Sequence, residues 1–101
     1  MFQCQVELVA PLNMNIEGDY YAVKIAEYDY DPGLQVGDEV YANFQQDNQK
    51  WKFMTIVTKR RKQIISEKDS QSLFILHIIL EAKEDDRENL LKWAEGIKIK
   101  H

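Results

Sequence analysis

The stretch that decides the fold is Ser72–Ala82, SLFILHIILEA, which is the longest apolar run in the chain. Its alternate positions are apolar on both sides of an extended backbone, and only His77 interrupts the pattern. The run is far shorter than the ~20 residues that span a bilayer, and it is short for a helix. It therefore predicts the central strand of a small domain, with other structure covering both of its faces.

Alternating apolar and polar residues predict further strands around this central one. They are Phe2–Leu8, Tyr20–Tyr30, Leu34–Phe44 with an interruption at Gly37-Asp38 where the chain bends into the third strand, Trp51–Thr58 with Lys59–Ile65 as its extension or as a hairpin arm, and a short last strand at Ile97–Lys100. Residues 12–18 are predicted as a loop, and residues 67–70 as the tip before the central strand. Within Tyr20–Tyr30, acidic residues continue the apolar face beyond Ala26. Either a bulge reverses the faces there or the strand runs out into solvent.

Two turns and one helix complete the predicted fold. Pro32 and Gly33 fit the middle positions of a type II turn, and Gln46–Gln49 fits a hairpin turn. Asp85 and Glu88 have the spacing of a capping box, an apolar stripe follows, and Gly96 suits the position just past a helix end. The predicted class is mainly β (α+β): one domain, residues 1–101, with five or six antiparallel strands in a curled sheet or small SH3-like barrel, and one C-terminal helix.

Composition places the chain among small globular proteins of a reducing compartment. Its 101 residues are enough for one hydrophobic core, and a 45% hydrophobic content excludes a disordered chain. The single Cys4 cannot form an internal disulfide, and the first residues lack the basic start and cleavage site of a signal peptide. No transmembrane or lipidation signal is present. We expect a cytoplasmic protein that does not act at a membrane.

Charge is segregated along the chain. Residues 1–47 carry nine acidic side chains and one basic, a net charge of −8. Residues 48–68 carry seven basic side chains and one acidic, a net charge of +6. The remainder has a net charge of −2, which gives −4 for the whole chain. This distribution predicts surfaces of opposite sign, which govern the approach of charged partners.

Residues 34–58 carry a partial family resemblance. The run VGDEVYANF at 36–44, the Asp47-Asn48 turn, Trp51 and the strand at 55–57 are similar to the first half of a Tudor or other SH3-like small barrel. The resemblance implies a small barrel, and it implies that Phe44 and Trp51 form two walls of an aromatic cage for methylated arginine or lysine. The family's second half adds two more cage aromatics, whereas residues 72–82 contain Phe74 alone. In the alternative, Phe44 packs in the core and Trp51 is half exposed.

Motifs for catalysis and for metal binding are missing from the sequence. One cysteine and two histidines cannot make a typical zinc site, and a calcium loop that begins at Asp29 would place Val40 at its twelfth position. No nucleotide-binding glycine motif occurs. His77 is predicted as a neutral core or interface histidine, with catalysis or ligand binding around it as the weakest hypothesis. Cys4 is predicted as a small buried hydrophobe with a raised pKa. We expect a protein that is not an enzyme and has no cofactor or metal.

One functional hypothesis rests on four adjacent cations, Lys59, Arg60, Arg61 and Lys62. Neighbouring side chains on a strand point to opposite faces, so at least two of the four are expected to face solvent and be available for phosphates. Trp51 would add a ring on which a base stacks. In the alternative, these cations pair across strands with Glu27, Asp29 and Asp31, and no ligand is involved.

The favoured hypothesis rests on an acidic, aromatic segment. Tyrosines supply rigid contact area, and carboxylates beside them steer a basic partner toward the surface. The predicted protein-binding residues are Tyr20, Glu27, Tyr28, Asp29, Tyr30 and Asp31. The sequence therefore favours a small non-catalytic protein that binds another protein, as inhibitor, immunity or adaptor proteins do. Nucleic-acid binding through residues 59–62 is the alternative.

Overall fold

Five strands and one helix form the part of the chain that the structure, a computed structural model, describes: residues 2–11, 20–46, 48–66 and 72–100. The strands are β1 (Phe2–Pro11), β2 (Tyr20–Tyr28), β3 (Glu39–Gln46), β4 (Gln49–Ile65) and β5 (Leu73–Ala82). A 3-10 turn at Glu84–Asp86 leads into helix α1, Arg87–Lys100. The predicted mainly β class with a C-terminal helix is confirmed. The predicted loop 12–18 and hairpin tip 67–70 lie outside the described residues.

The strands form one curled sheet, a half-barrel, in the order β2-β1-β5-β4-β3. The isoleucine-rich strand β5 lies in the middle, as predicted. Three of the neighbouring pairs are antiparallel, but β1 and β5 run parallel, so the sheet is mixed. Each strand runs opposite to the one before it in sequence. The first and fifth strands therefore point the same way, and they pair in the middle of the sheet, while β2 and β3 form its two edges.

The hydrophobic core lies on the concave face of the sheet. Register places alternate residues of β1 opposite alternate residues of β5, for example Val6 opposite Ile78 and Leu8 opposite Leu80. These four side chains are at most 5% exposed. Period-2 alternation in β1 thus buries one side of the strand, as the sequence predicted. Fully burying a side chain of this size contributes about 1.5–3 kcal/mol.

The convex face corrects the expectation that β5 is covered on both sides. On this face Ile75 is 7% exposed, whereas His77 and Ile79 are only half-buried and Glu81 is exposed. Within the described residues no further layer of structure lies over them. Polar side chains of the neighbouring strands give β5 its partial cover instead. The apolar residues on both faces of β5 therefore indicate a central strand of a single sheet. They do not indicate a sheet that is covered by other layers on both sides.

Bulges in β2 and β4 decide which side chains face the core. In β2, Ile25 is the extra residue between the pairs Val6–Ala26 and Glu7–Lys24. The bulge reverses the faces, so that Tyr28 packs against the core and Glu27 is exposed. This outcome confirms the first of the two alternatives for this strand. In β4 the register shifts between Val57 and Lys59, and residues 59–65 continue the strand, paired with β5.

Positive φ angles at Gly33 and Gly37 agree with the predicted turn at Pro32-Gly33 and the predicted bend at Gly37-Asp38. Gly33 has a φ of 81°, and its N–H donates to the Asp31 carboxylate over 2.8 Å. Gly37 has a φ of 96° in a second turn, in which the Asp38 N–H donates to the Gln35 carbonyl. Both glycines adopt the positive φ that type II turns require at their third position. At the hairpin, Gln46 pairs with Gln49.

Helix α1 differs from the prediction at both ends. It begins at Arg87 and continues through Gly96 to Lys100, so the predicted last strand at residues 97–100 is wrong. The four residues I-K-I-K fit a strand and the end of a helix equally well, and a glycine costs a helix only about 1 kcal/mol. At the start, the Asp86 carboxylate accepts a hydrogen bond from the Met54 N–H over 2.7 Å. This bond attaches the helix start to β4.

A buried tryptophan fixes α1 against the sheet. Trp93 is 1% exposed, and its indole N–H donates to the side-chain oxygen of Gln46 over 3.1 Å. Its ring packs against Phe44 and Phe53, with centroids 5.8 Å away in each case. The helix therefore closes one end of the concave face and leaves the other end to the segment between β2 and β3. No described helix has the length and apolar character needed to cross a bilayer.

Candidate functional site

The end of β2 carries two tyrosines whose rings pack together. The bulge at Ile25 turns Tyr28 toward the concave face, where it is half-buried, and Tyr30 follows just after the strand. The ring centroids are 5.4 Å apart and the ring planes are tilted by 58°. Aromatic pairs prefer such tilted arrangements. Because Tyr30 is 57% exposed, the pair presents a rigid aromatic surface to solvent.

A shallow groove lies beside Tyr28, at the end of the sheet where β1 and β5 begin. Phe2 and Leu73 supply the aliphatic and phenyl part of its lining, and the ring of Phe2 also stacks on that of Phe74, with centroids 5.6 Å apart. Carboxylates stand on its rim. Such a groove suits a side chain with an apolar stem and a cationic end. Its lining residues are Phe2, Gln3, Glu27, Tyr28, Asp29 and Leu73.

An ion pair holds the segment after Tyr30 against the sheet. The Arg60 guanidinium on β4 donates to the Asp31 carboxylate over 2.8 Å and also to the backbone carbonyl of Leu34. This hydrogen bonding from Arg60, with that from the Gly33 N–H, holds the pKa of Asp31 below its usual range. Asp31 in turn raises the pKa of Arg60. Residues 31–34 are thereby fixed across the concave face, with Leu34 packed on the core.

The acidic residues of this segment have different environments. The Glu27 carboxylate accepts hydrogen bonds from the Lys24 ammonium, over 2.8 Å, and from the Gln3 amide. These bonds, that of Lys24 first, lower the pKa of Glu27. Asp31 is paired with Arg60, as described above. Asp29 is exposed, and no ion pair with another described residue engages it. Asp29 is therefore the carboxylate best placed to meet a cation from outside.

Tyr20 lies at the opposite end of β2 from the other predicted protein-binding residues. Its backbone pairs with Pro11, and its side chain is outside the described set. Eight residue steps separate it from Tyr28, which is about 26 Å at about 3.3 Å per residue. The structure therefore groups the other five predicted residues, 27–31, and leaves Tyr20 apart.

The four cations of β4 do not form one patch. Arg60 and Lys62 lie on the concave side, opposite Ile78 and Leu76, whereas Lys59 and Arg61 project from the convex side. The alternative in which these cations pair across strands with the acidic segment is confirmed for Arg60 and Asp31. The remaining three are exposed. Trp51, which was expected to stack on bases beside them, lies about 26 Å away along β4, eight residue steps from Lys59.

Phe44 and Trp51 belong to an aromatic cluster under α1. The Phe53 ring stacks on that of Trp51, with centroids 6.2 Å apart and planes 8° apart, and on that of Phe44, with centroids 6.0 Å apart. The edge of Trp93 also packs on Phe44. Trp51 remains half-buried, next to a shallow cleft over the β3–β4 hairpin. Phe44 and Trp51 are both half-buried and pack against the core, as the alternative to a cage predicted, and both also line the cleft.

The convex face contains a polar network that sequence reasoning missed. The two ring nitrogens of His77 lie 3.0 Å from the Glu7 carboxylate and 3.0 Å from the Gln63 side-chain oxygen. These residues stand on β5, β1 and β4, and the parallel pairing of β1 with β5 brings the first two together. Nothing in the sequence signals that pairing. The network holds three strands together across their outer face.

Cys4 is fully buried beneath the acidic segment. Its thiol is 0% exposed, and burial raises its pKa, as the sequence analysis predicted. The charge of Asp31 raises that pKa further and the charge of Arg60 lowers it. Among residues 2–11, 20–46, 48–66 and 72–100, no three histidine, cysteine, aspartate or glutamate side chains are arranged to hold a metal ion.

Comparison with known proteins identifies no relative. No protein-family model matches the chain, and neither the curated proteins nor the solved structures contain a significant match. The structure supports the coarse part of the SH3-like resemblance, a small curled, barrel-like sheet. The function must therefore be argued from the residues and their arrangement.

Proposed function

We propose that this chain is a non-catalytic binding protein that recognises another protein through one surface. That surface, here named the acidic aromatic surface, consists of Glu27, Tyr28, Asp29, Tyr30 and Asp31 with the adjoining groove. The observation that carries the proposal is the packed pair of half-buried Tyr28 and exposed Tyr30 beside a groove that Asp29 helps to line, a carboxylate in no ion pair with another described residue. Tyrosines in such positions are frequent binding hot spots.

The partner's chemistry follows from the groove. A lysine or arginine side chain would lay its apolar stem on Phe2 and bring its cationic end to Asp29 and to the face of a tyrosine ring. We therefore propose a protein partner that presents a basic side chain next to an apolar one. Carboxylates on the rim would also speed the approach of a basic partner.

Pre-organisation supports the same proposal. A loop that is already held in one conformation loses little entropy when it binds, which favours affinity. Here the contacts of Arg60 with Asp31 and Leu34 fix the segment after Tyr30, and the tyrosine rings support each other. The acidic aromatic surface is therefore pre-organised in the unbound chain.

The resemblance of residues 34–58 to Tudor and SH3-like barrels favours the same general class, a small binding module. It would place the site at Phe44 and Trp51, as an aromatic cage. We place the site at Tyr28 and Tyr30 instead, because Phe44 packs against Phe53 and Trp93. Nucleic-acid binding has less support, since the four cations are divided between two faces and Arg60 is engaged by Asp31.

Selection from a displayed peptide library tests the proposal, with the whole chain as the target. We expect enriched peptides to contain lysine or arginine beside an apolar residue. Their affinity should fall about tenfold or more in the variant Tyr30→Ala, since a tyrosine hot spot contributes about 2 kcal/mol. Asp29→Asn should weaken binding too, in a salt-dependent manner.

The matched control is Tyr41→Ala. Tyr41 is 61% exposed, which is close to the 57% of Tyr30, but it lies on β3 at the other edge of the sheet. Peptides should bind this variant and the original chain equally well. Selected peptides that bind Tyr30→Ala and Asp29→Asn without loss, or that require Tyr41, would refute the proposed site.

A further inference from the structure

β3 is an edge strand of the sheet, and no strand within residues 2–11, 20–46, 48–66 or 72–100 pairs with its outer side. That outer side presents an ordered row of backbone hydrogen-bonding groups. The Met54 N–H and C=O bond to Asp86 and to Lys83, on the β5 side of β4. Val57 bonds on the other side, to Gly37 and Asp38. Alternation along β4 then directs the backbone groups of residues 51, 53 and 55 toward β3.

Register identifies the β3 groups that remain available. Residues 51, 53 and 55 of β4 pair with Phe44, Ala42 and Val40 of β3. The backbone groups of these three β3 residues therefore point into the sheet, toward β4. The N–H and C=O groups of the residues between them point out from the edge. Those outward-facing residues are Tyr41, Asn43 and Gln45.

This edge lacks the features that keep strand edges from pairing. Residues 40–46, VYANFQQ, contain no charge, proline or glycine, and β3 pairs with β4 without a bulge. Glu39, at the strand's start, already pairs with Lys83 over 2.8 Å. The other edge strand, β2, carries both a bulge and Lys24. Long, regular and uncharged edges act as templates for another strand.

We propose that two copies of this chain associate through their β3 strands, antiparallel and centred on Asn43. In this register Asn43 faces Asn43 of the second copy, and Tyr41 faces Gln45 of the second copy. Three reciprocal pairs give about six backbone hydrogen bonds. All three outward-facing residues are used, and the two-fold symmetry makes one strand its own complement.

Side chains agree with this register. On the concave side Ala42 of one copy would lie opposite Phe44 of the other, a small residue beside a large one. On the convex side the amides of Asn43 would meet across the two-fold axis. No charged residue stands between positions 40 and 46, so no like charges face each other in the centre. The interface is small, and the dimer should dissociate on dilution.

Sedimentation velocity over a wide range of concentrations tests the proposal on the full chain. We expect a concentration-dependent dimer. The variant Asn43→Pro removes an N–H that β4 does not use, and proline is tolerated at such edge positions. It should weaken the dimer about 30-fold, because two of the intermolecular hydrogen bonds are lost. Asn43→Glu should also weaken it several-fold, by facing two carboxylates across the axis.

Two further variants test the location of the interface and its register. Ala22→Glu places the same charge on an exposed residue of the other edge strand, β2, and should leave dimerisation unchanged. The double variant Tyr41→Lys with Gln45→Glu should dimerise more tightly than either single variant, because the register faces residue 41 with residue 45. A monomer at every concentration, or a dimer that tolerates Asn43→Pro and Asn43→Glu in folded protein, would overturn the proposal.

Discussion

Asp31 accepts hydrogen bonds from both the Arg60 guanidinium and the Gly33 backbone, and both favour its charged form. Its carboxylate ties the acidic aromatic surface to β4. The sequence placed Asp31 in a turn and offered cross-strand pairing with the basic run as one alternative. It did not show which of the four cations would be the partner, because the β4 bulge after Val57 decides which of them faces the concave side.

Stability should therefore depend on the ionisation of Asp31. Because folding lowers the pKa of Asp31, the stabilisation is present above the ordinary carboxyl pKa of about 3.9 and is lost as the pH falls through the folded-state pKa. Between about pH 5 and pH 2, the wild type should lose more stability than the variant Asp31→Asn, as urea unfolding at each pH would measure.

Asp29→Asn is the matched control for that experiment. It removes a carboxylate two residues away that no described residue engages in an ion pair. The free energy of unfolding of Asp29→Asn should fall with pH in the same way as that of the wild type. If the free energy of unfolding falls equally for Asp31→Asn and the wild type between about pH 5 and pH 2, the ion pair with Arg60 does not stabilise the fold.

At the scale of elements, the segment between β2 and β3 and the helix α1 cover opposite ends of the concave face. The β2 bulge, which was one of two alternatives, and the positive φ angles at the predicted turn (Gly33) and bend (Gly37) were found, since each rests on a local pattern of a few residues. The end of α1 was not predicted. Four residues are too few to distinguish a strand from the last turn of a helix by periodicity.

Gly96 provides a direct check on the helix. It lies inside α1, it is exposed, and a side chain added there would meet nothing within 4 Å. The variant Gly96→Ala should stabilise the protein by about 0.5–1 kcal/mol in urea unfolding, because alanine loses less backbone entropy in a helix. Destabilisation by this change would indicate that the helix stops at Gly96, as the sequence had predicted.

Labelling of Cys4 reports on the segment between β2 and β3. The thiol is buried in the core against which Leu34 of this segment packs, so a thiol reagent reaches it only when the local structure opens. The variant Arg60→Gln releases Asp31 and should increase the labelling rate several-fold under native conditions. Arg61→Gln removes the neighbouring cation, which is exposed on the convex side, and should leave the rate unchanged. Equal rates in the two variants would show that Arg60 does not hold the segment closed.

At the scale of the whole molecule, the sequence was sufficient for the class of fold and for the central position of β5. Hydrophobic periodicity determines those features. The parallel contact of β1 with β5 was not predicted, because it joins two segments that are far apart in the sequence and leaves no local pattern in either of them. For the same reason the sequence predicted residues 27–31 of the candidate site but not Phe2 and Leu73. These two residues complete the groove from β1 and β5, which are far from residues 27–31 in the sequence.

Glu27 and Tyr28 of the acidic aromatic surface lie on β2, and β2 and β3 are the two opposite edge strands of the sheet. A dimer formed through β3 would leave both copies of the acidic aromatic surface open to partners. The two proposals are therefore independent. Loss of dimerisation in Asn43→Pro should not weaken peptide binding, and loss of peptide binding in Tyr30→Ala should not change the sedimentation of the free chain.

The central claim is that binding occurs at residues 27–31 and the adjoining groove. NMR titration of the labelled chain with a selected basic peptide tests it most directly, because every backbone amide reports separately. We predict that the largest shift changes fall on Tyr28, Asp29, Tyr30 and the neighbouring amides of Phe2 and Leu73. Changes centred instead on residues 59–62, or on Phe44 and Trp51, would contradict the account.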